Sequence, residues 1–147
     1  MLRFAHSSRR RRGSAAAEFA LTAPIMIIML LGTIEYGNYF TELATVTSCA
    51  RDGARYGGNQ PTATLARNQA RAATLQLLTD VGYPCSGPGA ACYVGTNLIQ
   101  EGGVSLIEVT ARVPYRQLTN AVPQGSMGVQ ALPSTLTVTT RYPFVGP

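Results

Sequence analysis

The chain has 147 residues, of which 46% are hydrophobic and 13% charged, so it is long enough for one domain with a small core. Its net charge of +5 would suit a nucleic-acid binder. However, all twelve basic residues are arginines and five of them precede Gly13, whereas all seven acids follow it. The remaining seven arginines balance the seven acids, which removes the main argument for nucleic-acid binding.

A short basic leader opens the chain and ends in a glycine. Residues 9–12 are four arginines, Gly13 follows, and an apolar run begins within a few residues. An ordinary secretory signal has its cleavage site after the apolar stretch. Here the glycine suited to processing precedes that stretch, so cleavage between Gly13 and Ser14 would leave the apolar segment on the mature protein as an anchor. We therefore assign residues 1–13 to a leader.

Residues 14–35 are predicted to form one transmembrane segment. The run from Phe19 to Ile34 is uncharged, and counting back to Ala15 gives about twenty residues, the number that spans a bilayer core. The alternative is a buried core helix, but a soluble domain of this size rarely surrounds such a helix completely. The arginines before the span predict a cytoplasmic N-terminus, with the rest of the chain beyond the membrane.

Glu18 interrupts the apolar segment, five residues after the predicted cleavage site. An acid in a membrane segment is costly and usually marks a function. Cleavage would create an α-amino group at Ser14, and the Glu18 carboxylate could neutralise the same amine of a neighbouring subunit in a packed filament. The alternative is that Glu18 lies near enough to the end of the span for its carboxylate to reach the lipid headgroups.

Residues 36–147 are predicted to form one α+β domain of the pilin kind, on a long helix that begins in the membrane. Apolar residues recur every three or four positions and predict a stalk helix over residues 36–57, with Gly57-Gly58 as its end. The residues of this stripe are Tyr36, Phe40, Leu43, Val46 (or Thr47), Ala50 and Ala54. A second helix is predicted over residues 61–81, with Gly82 as its stop. Its narrow stripe consists of Ala63, Ala66, Ala70, Ala73 and Leu77.

The β-structure is predicted within residues 91–147. Apolar and polar residues alternate from Ile107 to Tyr115 and again around Leu136 and Val138, which indicates two strands. A third strand is expected near residues 91–98, with Gly102-Gly103 as the turn into the next strand. Residues 117–134 contain several glycines and prolines and are expected to form a loop. The strands together predict a small antiparallel sheet.

Cys85 and Cys92 flank a short loop of glycine, proline and other small residues. Outside the cytoplasm a disulfide is the default assignment for such a pair, and closing this loop would contribute around 2–3 kcal/mol. The rival is a zinc site, but the sole histidine, His6, lies in the leader and there is no second cysteine pair. Cys49 remains unpaired on the stalk helix and is expected to be a small buried residue.

The sequence lacks the residue combinations of common enzymes. No histidine follows Gly13, so neither a serine–histidine nor a cysteine–histidine pair can form in the mature chain. The chain has no lysine for a phosphate-binding loop, and its acids are scattered rather than paired for acid–base catalysis. We therefore expect no enzymatic activity, no metal site and no cofactor.

Two blocks of sequence resemble the TadE-like family of tight-adherence (Tad) pilus systems. The first runs from Gly13 and Ser14 through Glu18 and Phe19 to Pro24, and resumes at residues 32–37. Related Flp prepilins tend to have Glu-Tyr after the cleavage glycine, so Phe19 is a mild departure that keeps an aromatic ring. The second block resembles the family signature and consists of Ala50, Arg51, Asp52, Gly53, Ala54 and Arg55.

The resemblance implies a minor pilin or pseudopilin that a prepilin peptidase cleaves and that helps to assemble or prime a Tad (Flp-type) pilus or a related secretion apparatus. Its partners would be the prepilin peptidase, the major Flp-type pilin, other pseudopilins, the inner-membrane assembly platform and the lipid bilayer. Its place would be the bacterial inner membrane, with a periplasmic domain and with entry into the extracellular pilus left open. Two alternatives remain: a stationary inner-membrane component of the same apparatus, and a membrane-anchored periplasmic binding or adhesive domain.

Overall fold

A computed structural model describes residues 8–83, 85, 91–116 and 132–145, with side chains from Ala15 onward. Two helices precede a three-stranded antiparallel sheet, which confirms the predicted α+β class with a long N-terminal helix and a second helix. The elements are α1 (Ser8–Gly58), α2 (Ala63–Asp80), β1 (Tyr93–Glu101), β2 (Val104–Pro114) and β3 (Thr135–Pro143). We call α2 and the three strands, with the residues that join them, the head.

α1 is one helix of 51 residues, about 76 Å long at a rise of ~1.5 Å per residue. It includes Pro24 and begins before Ser14, because the arginines and alanines there are good helix formers. From Phe19 to Ile34 its apolar side chains are exposed or half-buried, whereas from Glu35 onward one side is covered by the head. Within the described part of the chain, this is the one helix long and apolar enough to cross a membrane.

α2 packs antiparallel to the end of α1 through small residues. Thr62 caps its start by accepting a hydrogen bond from the Leu65 backbone nitrogen. An added Cβ at Gly57 would lie 2.6 Å from the Ala66 carbonyl oxygen and 2.7 Å from the Ala70 Cβ. α1 ends at Gly58, as the Gly57-Gly58 pair predicted, and Gly57 in its last turn also allows α2 to approach.

The sheet has the order β1-β2-β3, with β2 in the centre. Gly102 and Gly103, at φ 60° and 80°, form the predicted turn between β1 and β2, in a left-handed conformation that glycine adopts without strain. The inner face of the sheet packs on both helices through Ile107, Val109, Ala111, Val113, Leu136 and Val138. Of the predicted loop, residues 117–131 lie outside the described residues.

The predicted apolar stripe of the stalk is correct only in its distal half. Val46, Ala50 and Ala54 are fully buried, but Phe40 is 61% exposed and Tyr36 is also exposed. Near the apolar segment, α1 instead turns polar residues toward the head, because the head presents tyrosine hydroxyl groups there. On α2 the predicted stripe is correct at Ala66 and Ala70, whereas Thr74 and Leu78 are buried in place of Ala73 and Leu77.

Gly57→Ala is expected to lower the free energy of unfolding of the head by about 1–3 kcal/mol, because its methyl group would overlap the backbone of α2. Gly37→Ala is the matched control, since no atom lies within 4 Å of a Cβ added there. Alanine should make that exposed part of α1 more stable by about 1 kcal/mol. Thermal unfolding of both variants in detergent, followed by circular dichroism, measures the difference. Wild-type stability of Gly57→Ala would contradict the close helix contact.

Candidate functional site

The residues predicted for processing and assembly lie near the beginning of α1. Gly13 and Ser14 are part of its helical backbone, one turn before Glu18. The Glu18 and Phe19 side chains are exposed in the apolar half of the helix. Along the helix axis Glu18 is about 25 Å from Glu35, where the head begins. The structure therefore keeps these residues on the part of α1 that extends away from the head.

A second group of polar residues lies where the head meets the apolar half of α1. We call it the stalk–head junction; it consists of Glu35, Asn38 and Glu42 on α1 and Tyr83, Tyr115 and Arg116 on the head. Glu35 is only 4% exposed. The Tyr115 hydroxyl donates to Glu35 Oε1 at 2.8 Å and also lies 3.2 Å from the Glu35 carbonyl oxygen. The end of β2 is thus joined to α1 at the first residue after the apolar segment.

Glu42 holds the other side of the junction. Its Oε2 accepts a hydrogen bond from the Tyr83 hydroxyl at 3.2 Å and another from the Arg116 backbone nitrogen at 3.4 Å. Asn38 Nδ2 donates to the Arg116 carbonyl oxygen at 3.1 Å. The Arg116 guanidinium group donates to the Gly82 carbonyl oxygen and lies 5.4 Å from the centre of the Tyr83 ring. These contacts fix the ends of α2 and β2 to the same two turns of α1.

The surroundings of the two junction tyrosines raise their pKa values. Burial, followed by the charge of Glu42 and its hydrogen bond, raises the pKa of Tyr83 to about 12. Burial and then the hydrogen bond to Glu35 raise the pKa of Tyr115 to about 12. Both hydroxyl groups therefore ionise at a higher pH than an exposed tyrosine and remain hydrogen-bond donors well into the alkaline range.

The six signature residues divide into a packing half and a surface half. Ala50 and Ala54 are fully buried, and a Cβ at Gly53 would overlap the Thr74 hydroxyl oxygen of α2. Arg51, Asp52 and Arg55 are exposed. The open cleft of about 520 Å³ beside them is lined by Asp52, Arg55, Tyr56, Asn59 and Leu77. The small residues of the signature thus permit the α1–α2 contact, while its charged residues face outward.

The structure pairs Cys85 with Cys92 in a disulfide and leaves Cys49 free and buried. The Cys85 backbone nitrogen donates to the Tyr83 carbonyl oxygen at 2.8 Å, so the disulfide lies next to the stalk–head junction. Burial, with the charge of Asp52, raises the pKa of the Cys49 thiol, which keeps it protonated and unreactive. Among the described residues, no group of three or more His, Cys, Asp or Glu could hold a metal ion.

Sequence reasoning missed the stalk–head junction. The sequence does show that Glu35 is an acid directly after an uncharged span. Apolar periodicity could not predict, however, that its side chain is buried against the head. Tyr83 and Tyr115 have no local signal, because they are 41 and 80 residues from the acids they contact.

These features define a class of protein: an α+β head built on a helix whose exposed apolar half fits a single-pass membrane protein. The family model described as TadE-like protein matches residues 13–55, which confirms the resemblance inferred from the two sequence blocks. The match runs from the predicted cleavage glycine to the end of the signature and supports a part in Tad pilus systems. No curated protein and no solved structure gives a match to the chain.

Tyr115→Phe is expected to destabilise the packing of head on stalk by about 1.5–3 kcal/mol, because the buried Glu35 carboxylate loses a hydrogen bond while the ring remains. Tyr93→Phe, at an exposed tyrosine on β1, is the control and should have little effect. Urea unfolding of the full-length variants in detergent measures both changes. Equal stability of the two variants would show that the Tyr115 hydroxyl contributes nothing.

The same tyrosines predict a loss of stability at alkaline pH. The unfolded chain releases tyrosine protons near pH 10, whereas folded Tyr83 and Tyr115 retain theirs to about pH 12. Because the folded state then binds more protons, its stability should fall as the pH rises through this window. The fall should be smaller in Tyr115→Phe than in wild type.

Proposed function

We propose that the chain is a minor pilin or pseudopilin of a Tad pilus or a related secretion apparatus. The observation that carries this proposal is the continuity of α1, which combines an acid near its start, an exposed uncharged span and the packing face of a head. The TadE-like match covers this combination at residues 13–55. In this proposal residues 1–13 are the leader, 14–35 the span, and 36–147 a periplasmic domain held at the inner membrane.

Processing by a prepilin peptidase after Gly13 is the first step of the proposed function. The basic residues before Gly13 would keep the leader in the cytoplasm, where the short uncharged segment that follows enters the membrane. Cleavage there leaves α1 long enough to span the bilayer and to support the head. It also places an α-amino group at Ser14, one helical turn from Glu18.

The mature protein is therefore expected to begin at Ser14. N-terminal mass spectrometry of protein recovered from membranes measures this directly. Gly13→Arg should abolish processing, because a peptidase that accepts glycine has no room there for a large side chain. Intact Met1 in cells with an active prepilin peptidase, or cleavage after the apolar segment, would rule out the proposed processing.

Glu18 is the residue proposed to act in assembly. Its carboxylate lies about one turn inside the segment that would be surrounded by lipid, where an unpaired charge is costly. A neighbouring subunit with a free Ser14 amine would offset that cost with an opposite charge in a medium of low dielectric constant. The major Flp-type pilin or another pseudopilin, delivered by the inner-membrane platform, would be such a neighbour.

Glu18→Ala should leave membrane insertion unimpaired and processing largely intact, but pilus formation should fail because the neighbouring amine loses its counter-charge. Glu101→Ala, which removes an exposed acid of the head, is the matched control and should form pili normally. Electron microscopy of pili, with a blot for processed protein, gives both readouts. Normal pili with normally processed Glu18→Ala protein would contradict the assembly role.

The same experiment separates the proposed function from its two alternatives. A stationary inner-membrane component, or an anchored binding head, predicts no defect specific to Glu18→Ala. These two then differ in whether the head binds pilus proteins or a soluble ligand.

We also propose that Cys85 and Cys92 are joined after the head leaves the cytoplasm, where thiols are kept reduced. Their pairing in the structure and the short separation of seven residues support this assignment. Non-reducing peptide mapping of the exported protein should recover the two cysteines in one linked fragment, with Cys49 reduced. A link between Cys49 and either of them would contradict it.

A further inference from the structure

The head begins directly at the end of the apolar segment, without a linker. Ile34 is 47% exposed, whereas Glu35 is 4% exposed and bonded to Tyr115. The segment from Ala15 to Ile34 is about 30 Å long at ~1.5 Å per residue, which equals the thickness of the hydrocarbon core. When this segment fills the core, Tyr115 lies at the level where hydrocarbon meets the lipid headgroups.

Other parts of the head lie only slightly further from the hydrocarbon core than Tyr115 does. Arg116 contacts Asn38 and Glu42, which are about 6 and 12 Å beyond Ile34 along the helix axis. Val81 lines an open cleft of about 150 Å³ together with Thr41 and Thr45, which are about 10 and 16 Å beyond Ile34 along the helix axis. The headgroup layer is itself about 5–8 Å thick on each side of the bilayer. Arg116, which contacts Asn38, is therefore within reach of the headgroups, and Val81 lies near the outer edge of the headgroup layer.

Exposed aromatic side chains also point to a lipid contact. Tyr36 is 38% and Phe40 61% exposed, on the two turns of α1 that follow the span. Apolar periodicity predicted both residues to be buried in the head. Aromatic rings are enriched at the membrane–water interface, where the ring contacts lipid and any polar group stays hydrated. A lipid surface would cover what the head leaves exposed.

At this end of the head the acidic side chains of α1 are turned inward and a basic side chain is exposed. Glu35 and Glu42 point toward the tyrosine hydroxyl groups of the head, whereas the Arg116 side chain is exposed. The exposed acid nearest to it in α2 is Asp80, about 200° around that helix from buried Leu78 and therefore directed away from α1. An exposed guanidinium group beside turned-in carboxylates matches the phosphate of a lipid headgroup.

We propose that a membrane-facing surface, formed by Tyr36 and Phe40 of α1 and by Val81, Gly82 and Arg116 of the head, rests on the lipid headgroups, with Arg116 bound to lipid phosphate. This proposal rests on the membrane insertion of α1. It adds a second contact with the bilayer to the transmembrane segment and fixes how the unassembled subunit is oriented. The partner is the lipid surface itself rather than a soluble phosphate.

Single tryptophans can test this contact, because the chain contains no tryptophan. Full-length Tyr36→Trp, Val81→Trp and Val104→Trp variants are reconstituted in phosphatidylcholine vesicles that contain a nitroxide-headgroup lipid. Val81 and Val104 are matched exposed valines of the head, at 47% and 51% exposure. Next to Val104, Ser105 contacts Phe144, whose neighbour Val145 contacts Gly58, about 36 Å beyond Ile34. Quenching is expected for Tyr36→Trp and Val81→Trp, and not for Val104→Trp.

The outcomes separate the contact from membrane insertion. Quenching of Tyr36→Trp without quenching of Val81→Trp would overturn the head contact and leave insertion intact. No quenching of Tyr36→Trp would contradict insertion of α1 and the contact together. These measurements need only that the full chain inserts and folds, and both valine side chains are about half exposed.

A second arm of the experiment tests the phosphate contact. Addition of phosphatidylglycerol should increase the quenching of Val81→Trp, because an anionic surface attracts arginine. Arg116→Gln should abolish that increase, and Arg116→Lys should restore it. Arg112→Gln is the control and should leave the increase unchanged, because this exposed arginine lies four residues earlier, in β2, and further from the bilayer. An increase that persists in Arg116→Gln would overturn the role of Arg116, as would an increase lost equally in Arg112→Gln. Free inorganic phosphate at the same concentration should not compete, since the surface is what binds.

Discussion

The position of the head relative to the apolar segment depends on the continuity of α1. A helix that keeps its backbone hydrogen bonds is stiff, so the end of the span at Ile34 fixes the height of Glu35 and of everything packed beyond it. Gly53 and Gly57 then let α2 approach the same helix, and the sheet covers both helices. The head is therefore joined to the apolar segment by one continuous helix, and its first contact with that helix, from Tyr115 to Glu35, comes directly after the segment ends.

Two acids on α1 illustrate how different surroundings give similar residues different roles. Glu35 is buried by the head, and Tyr115 supplies a donor whose raised pKa keeps its proton in place. That carboxylate is a structural residue of the stalk–head junction. Glu18 lies about 25 Å away, in the segment proposed to be in lipid, where the head cannot reach it. A role for Glu18 must therefore involve the membrane, its own helix or another subunit, and the proposed assembly contact uses the last.

Features set by local sequence were predictable, and features set by distant contacts were not. α2 begins after Thr62 and ends shortly before Gly82, as the sequence predicted. Gly102-Gly103 form the turn that their conformational freedom suggested. The two sequence blocks, one running from Gly13 to Gly37 and the other from Ala50 to Arg55, were likewise sufficient for the family resemblance that the match at residues 13–55 confirms. In contrast, the partners of Glu35 and Glu42 come from residues far along the chain, so apolar periodicity placed Tyr36 and Phe40 in the core by mistake. Gly57 also has a packing role that a helix-end rule cannot distinguish from a stop.

Hydrogen–deuterium exchange of the full-length protein in lipid nanodiscs tests the continuity of α1 most directly. Lipid should protect the backbone amides from Phe19 to Ile34, and the head should protect those from Glu35 to Gly57, so slow exchange should continue without a break. The Gly102-Gly103 turn should exchange rapidly and serves as an internal reference. A fast-exchanging stretch between Glu35 and Glu42 would reveal a hinge between span and head and would contradict the account.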